Sequence, residues 1–343
     1  MKKLFNKKYE EIITRENILN AWRQFSNGKK NKQDVSLFSM HLTRNIENLY
    51  LQLISKSYTH QPYIHFRIND PKPRDIHKAS VQDRIVHHLL YNALYPYFDT
   101  KFIHDSYSCR FNKGTHKAIN RFKHFYNQAS KNNTKTAHVL KCDIRKFFAN
   151  IDHEILKNIL NKHITDIDIL NLLANIINSF CTAPPSLWEG GQGDGLGLPL
   201  GNLTSQLLVN IYMNEFDQHI KHKLKIKYYI RYADDFVILH TDKNYLKTLQ
   251  IQISMFLNAK LKLELHPAKV FIKTFAGGVD FLGWVHFPHH TVLRTATKNR
   301  MFRNLERGNY KETSVRSYLG MLGHGHAFGL CRQICTRSCL VHR

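Results

Sequence analysis

The chain lacks any apolar run long enough to cross a bilayer, and its start, MKKLFNKKYEEIITRENIL, has no uninterrupted apolar core of the kind a secretory leader needs. A membrane protein is therefore not expected, and a cytoplasmic location is. Cysteine is scarce, six in 343 residues: Cys109, Cys142 and Cys181 stand alone, while Cys331, Cys335 and Cys339 recur every four residues. That pattern is neither a CxxC zinc pair nor a disulfide framework. Three thiols at this spacing share a helix face, and a packing face without further function is the expectation. Internal repeats and long low-complexity segments are absent too, so no solenoid or extended array is built here. The remaining shortage is of negative charge: 26 acidic residues face 50 lysines and arginines, a formal net charge of +24. The excess runs along the whole chain, and a polyanion is its natural partner, with charge alone unable to choose between DNA and RNA.

What is there reads as an α+β protein of one core with two or three subdomains. Residues 1–60 carry apolar positions such as Ile18, Leu19, Trp22 and Phe25 at helical spacing and form a basic helical segment. Over 61–80 the chain turns extended, with Pro71 and Pro73 forbidding a helix and leaving Lys72, Arg74 and Lys78 on a ribbon or loop. Helical patterns return at 81–98 and near 115–128. The segment HVLKCDIRKFF (138–148) begins as a buried strand, so that Asp143 falls at a strand end, and 152–180 reads as helix. A Gly/Pro-rich loop at 182–201 precedes a helix from about 203 to 222, with Leu203, Leu207, Ile211, Phe216 and Ile220 on one stripe. KIKYYIRYADDFVILH then reads as a hairpin with Asp234 and Asp235 at its tip. A helix at about 243–260, strands at LKLEL and VDFLGWVHF, and a basic, mainly helical stretch from 290 to 343 complete the chain.

Two adjacent acids between apolar strands resist joint ionisation, and a metal ion removes that conflict. A third acid from another strand end can join them in one site, and Asp143 is the candidate. Hard oxygen ligands with room for water and phosphate suit Mg²⁺, and two such ions can activate a 3′-hydroxyl and stabilise a leaving pyrophosphate. An Asp-Asp turn alone is often only a solvated turn. Specificity comes from the ordered set DIRKFFANIDH (143–153), GLPLGNLTSQLLVNIYMNE (197–215), RYADDFVIL (231–239), LHPAKVFI (265–272) and FLGWV (281–285).

On that set, across roughly residues 60–300, the chain resembles the reverse transcriptase family. The resemblance implies a right-hand polymerase fold with an antiparallel palm sheet, fingers and a helical thumb, divided as a basic helical segment (1–60), a fingers and palm core (61–285) and a thumb (286–343). It implies RNA-directed DNA polymerase activity with two Mg²⁺ ions, Mn²⁺ being the substitute. The metal ligands would be Asp143, Asp234, Asp235 and the backbone carbonyl of Ile144. Lys269 would serve as a catalytic cation at the outgoing pyrophosphate. Phe148, five residues after Asp143, matches the aromatic gate against the ribose 2′-hydroxyl, whereas one of Phe147 and Phe148 must serve the core. Lys72 and Arg74 match fingers contacts to the triphosphate, Arg110 matches a template or nucleotide contact that Lys113 and Lys117 extend, and Leu200, Gly201 and Gln206 line the nucleotide from the turn before the long helix. Arg294, Lys298 and Arg300 match a thumb that holds template–primer phosphates. The partners implied are template RNA, a cDNA or primer strand and dNTPs.

Most relatives carry Gln-Gly and a later Ser-Pro where this chain has Leu200-Gly201 and Ser205-Gln206. The LGNLTSQ form, with FLGWVHFPHHTVLRTATKNR, resembles the reverse transcriptases of diversity-generating retroelements. That subtype implies adenine-mutagenised cDNA from a template RNA and a small basic accessory protein as partner. Leucine at this point removes a hydrogen-bond donor and acceptor beside the nascent pair, so reduced fidelity is expected. The competing expectations are a group II intron, retron or phage-defence reverse transcriptase, an idle RNA-binding scaffold in which the acids are free to vary, and an RNA-dependent RNA polymerase, which Phe148 opposes.

Overall fold

The computed structural model describes residues 4–70, 72–182 and 195–341. Most of the expected Gly/Pro-rich loop, 183–194, and Pro71 lie outside the described residues. Four helices open the chain: α1 (Tyr9–Ile12), α2 (Arg15–Ser26), α3 (Gln33–Met40) and α4 (Leu42–Ile54). The extended stretch is an antiparallel hairpin, β1 (Ile64–Ile68) and β2 (Arg74–Lys78), followed by α5 (Val81–Asp99) and α6 (Thr115–Ala129). Next come β3 (His138–Asp143), α7 (His153–Asn161), α8 (Ile167–Asn178) and α9 (Leu203–Gln218). The second half holds β4 (Tyr229–Tyr232), β5 (Asp235–His240), α10 (Lys243–Leu261), β6 (Phe271–Thr274), β7 (Val279–Phe281), β8 (Trp284–His286) and β9 (Thr291–Leu293). Three helices end the described chain, α11 (Thr295–Arg307), α12 (Glu312–Leu322) and α13 (Phe328–Val341).

One compact unit is made of Met1–His104, Ile144–Lys225 and Ser254–Leu265, the other of Asp105–Asp143, Ile226–Ile253 and His266–Arg343. In the first unit side chains fix the helix starts. Thr14 accepts from Asn17 N at 3.1 Å, Ser80 from Asp83 N at 3.1 Å and Asp152 from Ile155 N at 2.9 Å. Such caps stabilise a helix by about 1 kcal/mol each. Asp166 does the same for α8, accepting from Asp168 N and Ile169 N at 3.1 Å, and this splits the single helix expected over 152–180 into α7 and α8. The expected stripe on α9 is also corrected: Thr204, Ser205, Asn210, Asn214 and Asp217 are as buried as Leu207, Ile211 and Phe216, so the helix is covered on all sides. It passes into a π-helical turn at His219–Lys223.

In the second unit β4, β5, β3 and β6 form an antiparallel sheet in that order. Side chains alternate across a strand, so Val139, Lys141 and Asp143 share one face of β3. On that face Val139, Ile230, Val237 and Leu239 pack with Phe122, Phe125 and Tyr126 of α6 and with Phe275 and Phe281. LKLEL, expected as a strand, is instead the end of α10 and a connection that makes one bridge, Leu265 to Ile144; the fourth strand of the sheet, beside β3, is β6, further on. VDFLGWVHF is two strands, β7 and β8, because Leu282 and Gly283 both take positive φ, 52° and 86°, and turn the chain back. β9 completes this second sheet. Beyond it, Trp284, Leu293, Met301, Leu305 and Ile334 share a core with α11 to α13. Gly325 belongs to that core for a steric reason: a Cβ there would collide with the Trp284 ring.

Candidate active site

Asp143 ends β3 directly opposite Asp235, which begins β5. The pairing of Tyr232 with Asp235 leaves Ala233 and Asp234 as the hairpin tip. Ala233 sits at φ 56°, a left-handed conformation that costs a residue with a Cβ about 1–2 kcal/mol. Arg231 holds the tip in that shape. Its guanidinium is fully buried, donates from Nη1 to the Ala233 carbonyl at 3.1 Å and from Nη2 to Ser106 Oγ at 3.2 Å. Its backbone is tied in as well, Arg231 N donating to Asp105 O at 3.0 Å and Tyr107 N to Arg231 O at 2.9 Å. The three aspartates that the sequence singles out thus lie on adjoining strand ends of one sheet.

Each of two of them meets a lysine. Lys269 Nζ lies 2.9 Å from Asp143 Oδ1, and Lys141 Nζ lies 3.4 Å from Asp235 Oδ2. The other oxygen of Asp235, Oδ1, is buried with no hydrogen-bond partner. Burial raises the Asp235 carboxyl to about 7, the charges of Asp234 and Asp143 adding to the rise and Lys141 opposing it. Cys142, on the opposite face of β3, is fully buried, and burial pushes its thiol far above the usual range, so it is inert. Among the described residues no three His, Cys, Asp or Glu side chains converge as a ready metal centre. The donor set nonetheless fits a hard divalent cation in its chemistry: carboxylates at adjoining strand ends, one of them with a buried, unsatisfied oxygen. Ile144, the expected backbone ligand, is buried and paired with Leu265.

The remaining expected residues fall as follows. Arg110 is half-buried and turned back on its own loop, donating from Nη1 to Ser106 O at 3.0 Å. Lys117 does likewise toward Asn112 O at 2.7 Å. In the first unit, Lys72 and Arg74 are exposed at the turn and start of β2. Phe147 is in the core, and Phe148 is the half-buried ring of the pair, packed edge-on against it at 5.5 Å. Gly201, at φ 105°, lies so close to the ribbon that a Cβ would touch Ile76. Asn202 Nδ2 donates to His77 O at 3.3 Å. A cleft of about 400 Å³ results, lined by Phe66, Ile76, His87, Gly201 and Gln206. Leu200 is half-buried beside it in sequence. Arg294 Nη1 is paired with Asp280 at 2.9 Å. Cys335 and Cys339 are exposed on α13, so the packing-face expectation holds for neither. The sequence reading passed over Lys141 and Arg231, which the structure places beside these aspartates and their turn. Their signal was a single lysine or arginine within each of the strands β3 and β4.

A four-stranded antiparallel sheet with carboxylates at the end of one strand and in the adjoining hairpin turn defines the palm of a right-hand polymerase. The reverse transcriptase (RNA-dependent DNA polymerase) family matches residues 69–286, and the chain belongs to that family. It is 26% identical over 284 residues to Protein YkfC of Escherichia coli, an alignment covering 72% of each chain. It is 22% identical over 304 residues to the group II intron-encoded protein LtrA of Lactococcus lactis subsp. cremoris, with 70% of this chain covered; the chain spans about half, 49%, of that relative. Among solved structures it is similar in fold to apo telomerase from Candida tropicalis, with a TM-score of 0.50 and 14% identity over 74% of this chain and 53% of that one. Among the described residues no helix is long and apolar enough to cross a membrane.

Proposed function

We propose that the chain is the RNA-directed DNA polymerase of a diversity-generating retroelement, copying a template RNA into error-prone, adenine-mutagenised cDNA. The observation that carries the polymerase reading is the pairing of Asp143 with Asp235 across β3 and β5, one residue from the Asp234 turn, in a member of the reverse transcriptase family. Asp143, Asp234, Asp235 and the Ile144 carbonyl would hold two Mg²⁺ ions, or Mn²⁺, whose chemistry is to lower the pKa of the primer 3′-hydroxyl and neutralise charge on the triphosphate. Lys269, already 2.9 Å from Asp143, supplies a proton or a positive charge to the departing pyrophosphate. Lys72 and Arg74 hold the triphosphate, one as a point charge and the other as a planar fork. Phe148 excludes the 2′-hydroxyl, which makes dNTPs the substrates. Arg110, Leu200, Gly201 and Gln206 border the nascent pair. The basic stretch 286–343 acts as the thumb, with Lys298 and Arg300 on template–primer phosphates.

The retroelement subtype is supported by Leu200 and the LGNLTSQ turn, where the missing amide relaxes scrutiny of the pair. With it come a structured template RNA and a small basic accessory protein as partners. The likeness to a group II intron-encoded protein favours a second reading, a faithful intron-type reverse transcriptase. Sequencing cDNA made by the purified protein on its retroelement RNA, with Mg²⁺, dNTPs and any neighbouring accessory protein, decides between them. Errors concentrated at template adenines establish the first; uniform, infrequent errors establish the second; no metal-dependent product under any priming condition removes both and leaves the RNA-binding scaffold.

A further inference from the structure

Lys141 has an unusual position. It sits within β3, two residues before Asp143 and on the same face, and its side chain is only 14% exposed. The strand register pairs it with Val237 on one side and Phe271 on the other. Desolvating a lysine costs several kcal/mol unless an opposite charge meets it. Two partners are within reach: the Asp235 carboxylate at 3.4 Å and the Phe271 ring, whose centroid is 6.0 Å away and already lies 5.0 Å from Lys273. The carboxylate is therefore its principal partner. Lys141 touches one oxygen of Asp235 and leaves the other, Oδ1, buried without any partner. The carboxylate is thus paired at one oxygen and unpartnered at the other.

We propose that Lys141 is a positioning residue, a cation that pins Oδ2 of Asp235 so that Oδ1 is presented to the divalent ion. This rests on the reading of Asp143, Asp234 and Asp235 as the metal-binding carboxylates. The ammonium acts through Asp235 and contacts neither nucleotide nor primer. Without it the side chain of Asp235 is free to rotate, and neighbouring Asp143 and Asp234 repel it from the common site. Groups that orient metal-binding carboxylates in this way contribute about 10–100-fold to metal affinity.

The test is Mn²⁺ binding to the nucleotide-free full chain, followed by the loss of the free-ion signal in electron paramagnetic resonance, for the wild type, Lys141→Met, Lys141→Arg and Asp235→Asn. Methionine preserves volume beside Phe271, and thermal unfolding in EDTA verifies that the variant folds. The expected result is a dissociation constant raised about tenfold in Lys141→Met, with most of the affinity restored by arginine. Affinity unchanged or tightened in Lys141→Met overturns the proposal, and tightening shows that the lysine competes with the ion for Asp235. Asp235→Asn separates the two levels of inference. If asparagine abolishes binding and methionine does not, the metal site stands and only the role of Lys141 fails. If the wild type binds no Mn²⁺, or asparagine leaves binding intact, the metal-site reading itself fails and the proposal with it.

Discussion

Replacing Arg231 with methionine removes the clamp on the Asp-Asp turn while keeping most of the buried volume. The wild-type guanidinium donates to Ala233 O and to Ser106 Oγ at a site with no solvent exposure. Hydrogen bonds from a charged donor contribute about 1.5–3 kcal/mol each, and removing one member of a buried polar set costs about 3–5 kcal/mol. The loss in stability should lie in that range. The catalytic effect follows from the backbone: Ala233 holds a conformation unfavourable by about 1–2 kcal/mol, and nothing else described bonds its carbonyl from a side chain. Released, the turn relaxes and shifts Asp234 and Asp235 relative to Asp143. A displacement of about 1 Å in a reacting constellation costs on the order of 10²-fold in rate. Urea denaturation gives the first quantity, and single-turnover incorporation on an RNA template with a DNA primer, corrected for folded fraction, gives the second. The maximal rate should fall about 10²-fold with the KM for dNTP little changed, since the proposed triphosphate contacts, Lys72 and Arg74, belong to another part of the chain. Arg231→Lys keeps the charge without the fork and should fall between. A Met variant that turns over within twofold of wild type would refute the clamp.

Further expectations concern the carboxylates, the gate and the core. Asp234→Ala should lower nucleotide incorporation at least ~10³-fold while template–primer binding persists, and retained incorporation would remove Asp234 from the proposed metal site. Phe148→Ala should raise the rNTP-to-dNTP incorporation ratio on the order of 10²-fold, measured in competition; an unchanged ratio would move the gate elsewhere. His286 is fully buried against Phe281 O, and burial lowers its pKa from 6.5 to about 4. Between those values the unfolded chain takes up a proton that the folded chain refuses. The stability linked to His286 is thus complete above pH 6.5 and falls by about 3 kcal/mol as the pH drops to 4. In denaturation at pH 7 and pH 4, His286→Gln should lose less stability than wild type over this interval, and an identical loss would exclude the assignment.

How much of this was readable from the chain depends on the range of the interactions involved. The β4–β5 hairpin was legible because its cause is local: two β-rich runs flank a two-residue tip. LKLEL alternates as a strand should, yet Leu261 closes α10 and Leu265 makes only an isolated bridge, which depends on Ile144, over a hundred residues away. The burial of α9 was illegible for the same reason. Asn214, which accepts from Gln218 Nε2 at 3.2 Å, looks like a solvent-facing residue until its neighbours are known. Asp166 is a different failure, since TDID carries a recognisable capping signal that a continuous apolar pattern overrode.

The site was readable in its acids and, through the family resemblance, in Lys269, but not in Lys141 or Arg231, and the asymmetry has a physical basis. Acids at strand ends and turns announce themselves, whereas a lysine or arginine inside a strand in a chain carrying +24 is easily read as one more surface charge. Only the register shows Lys141 on the face of Asp143 and beside Asp235, and only the buried loop around Ser106 shows what Arg231 holds. Two unit charges about 4 Å apart at a protein surface interact by roughly 4 kcal/mol, so three aspartates without counter-charges would strain the sheet end and repel a triphosphate. Lys141 and Lys269 each set a positive charge against one of these carboxylates, Asp235 and Asp143. On the proposed reading, that pairing keeps the strand ends stable before a divalent cation arrives without filling every carboxylate oxygen, since Asp235 Oδ1 stays unpartnered.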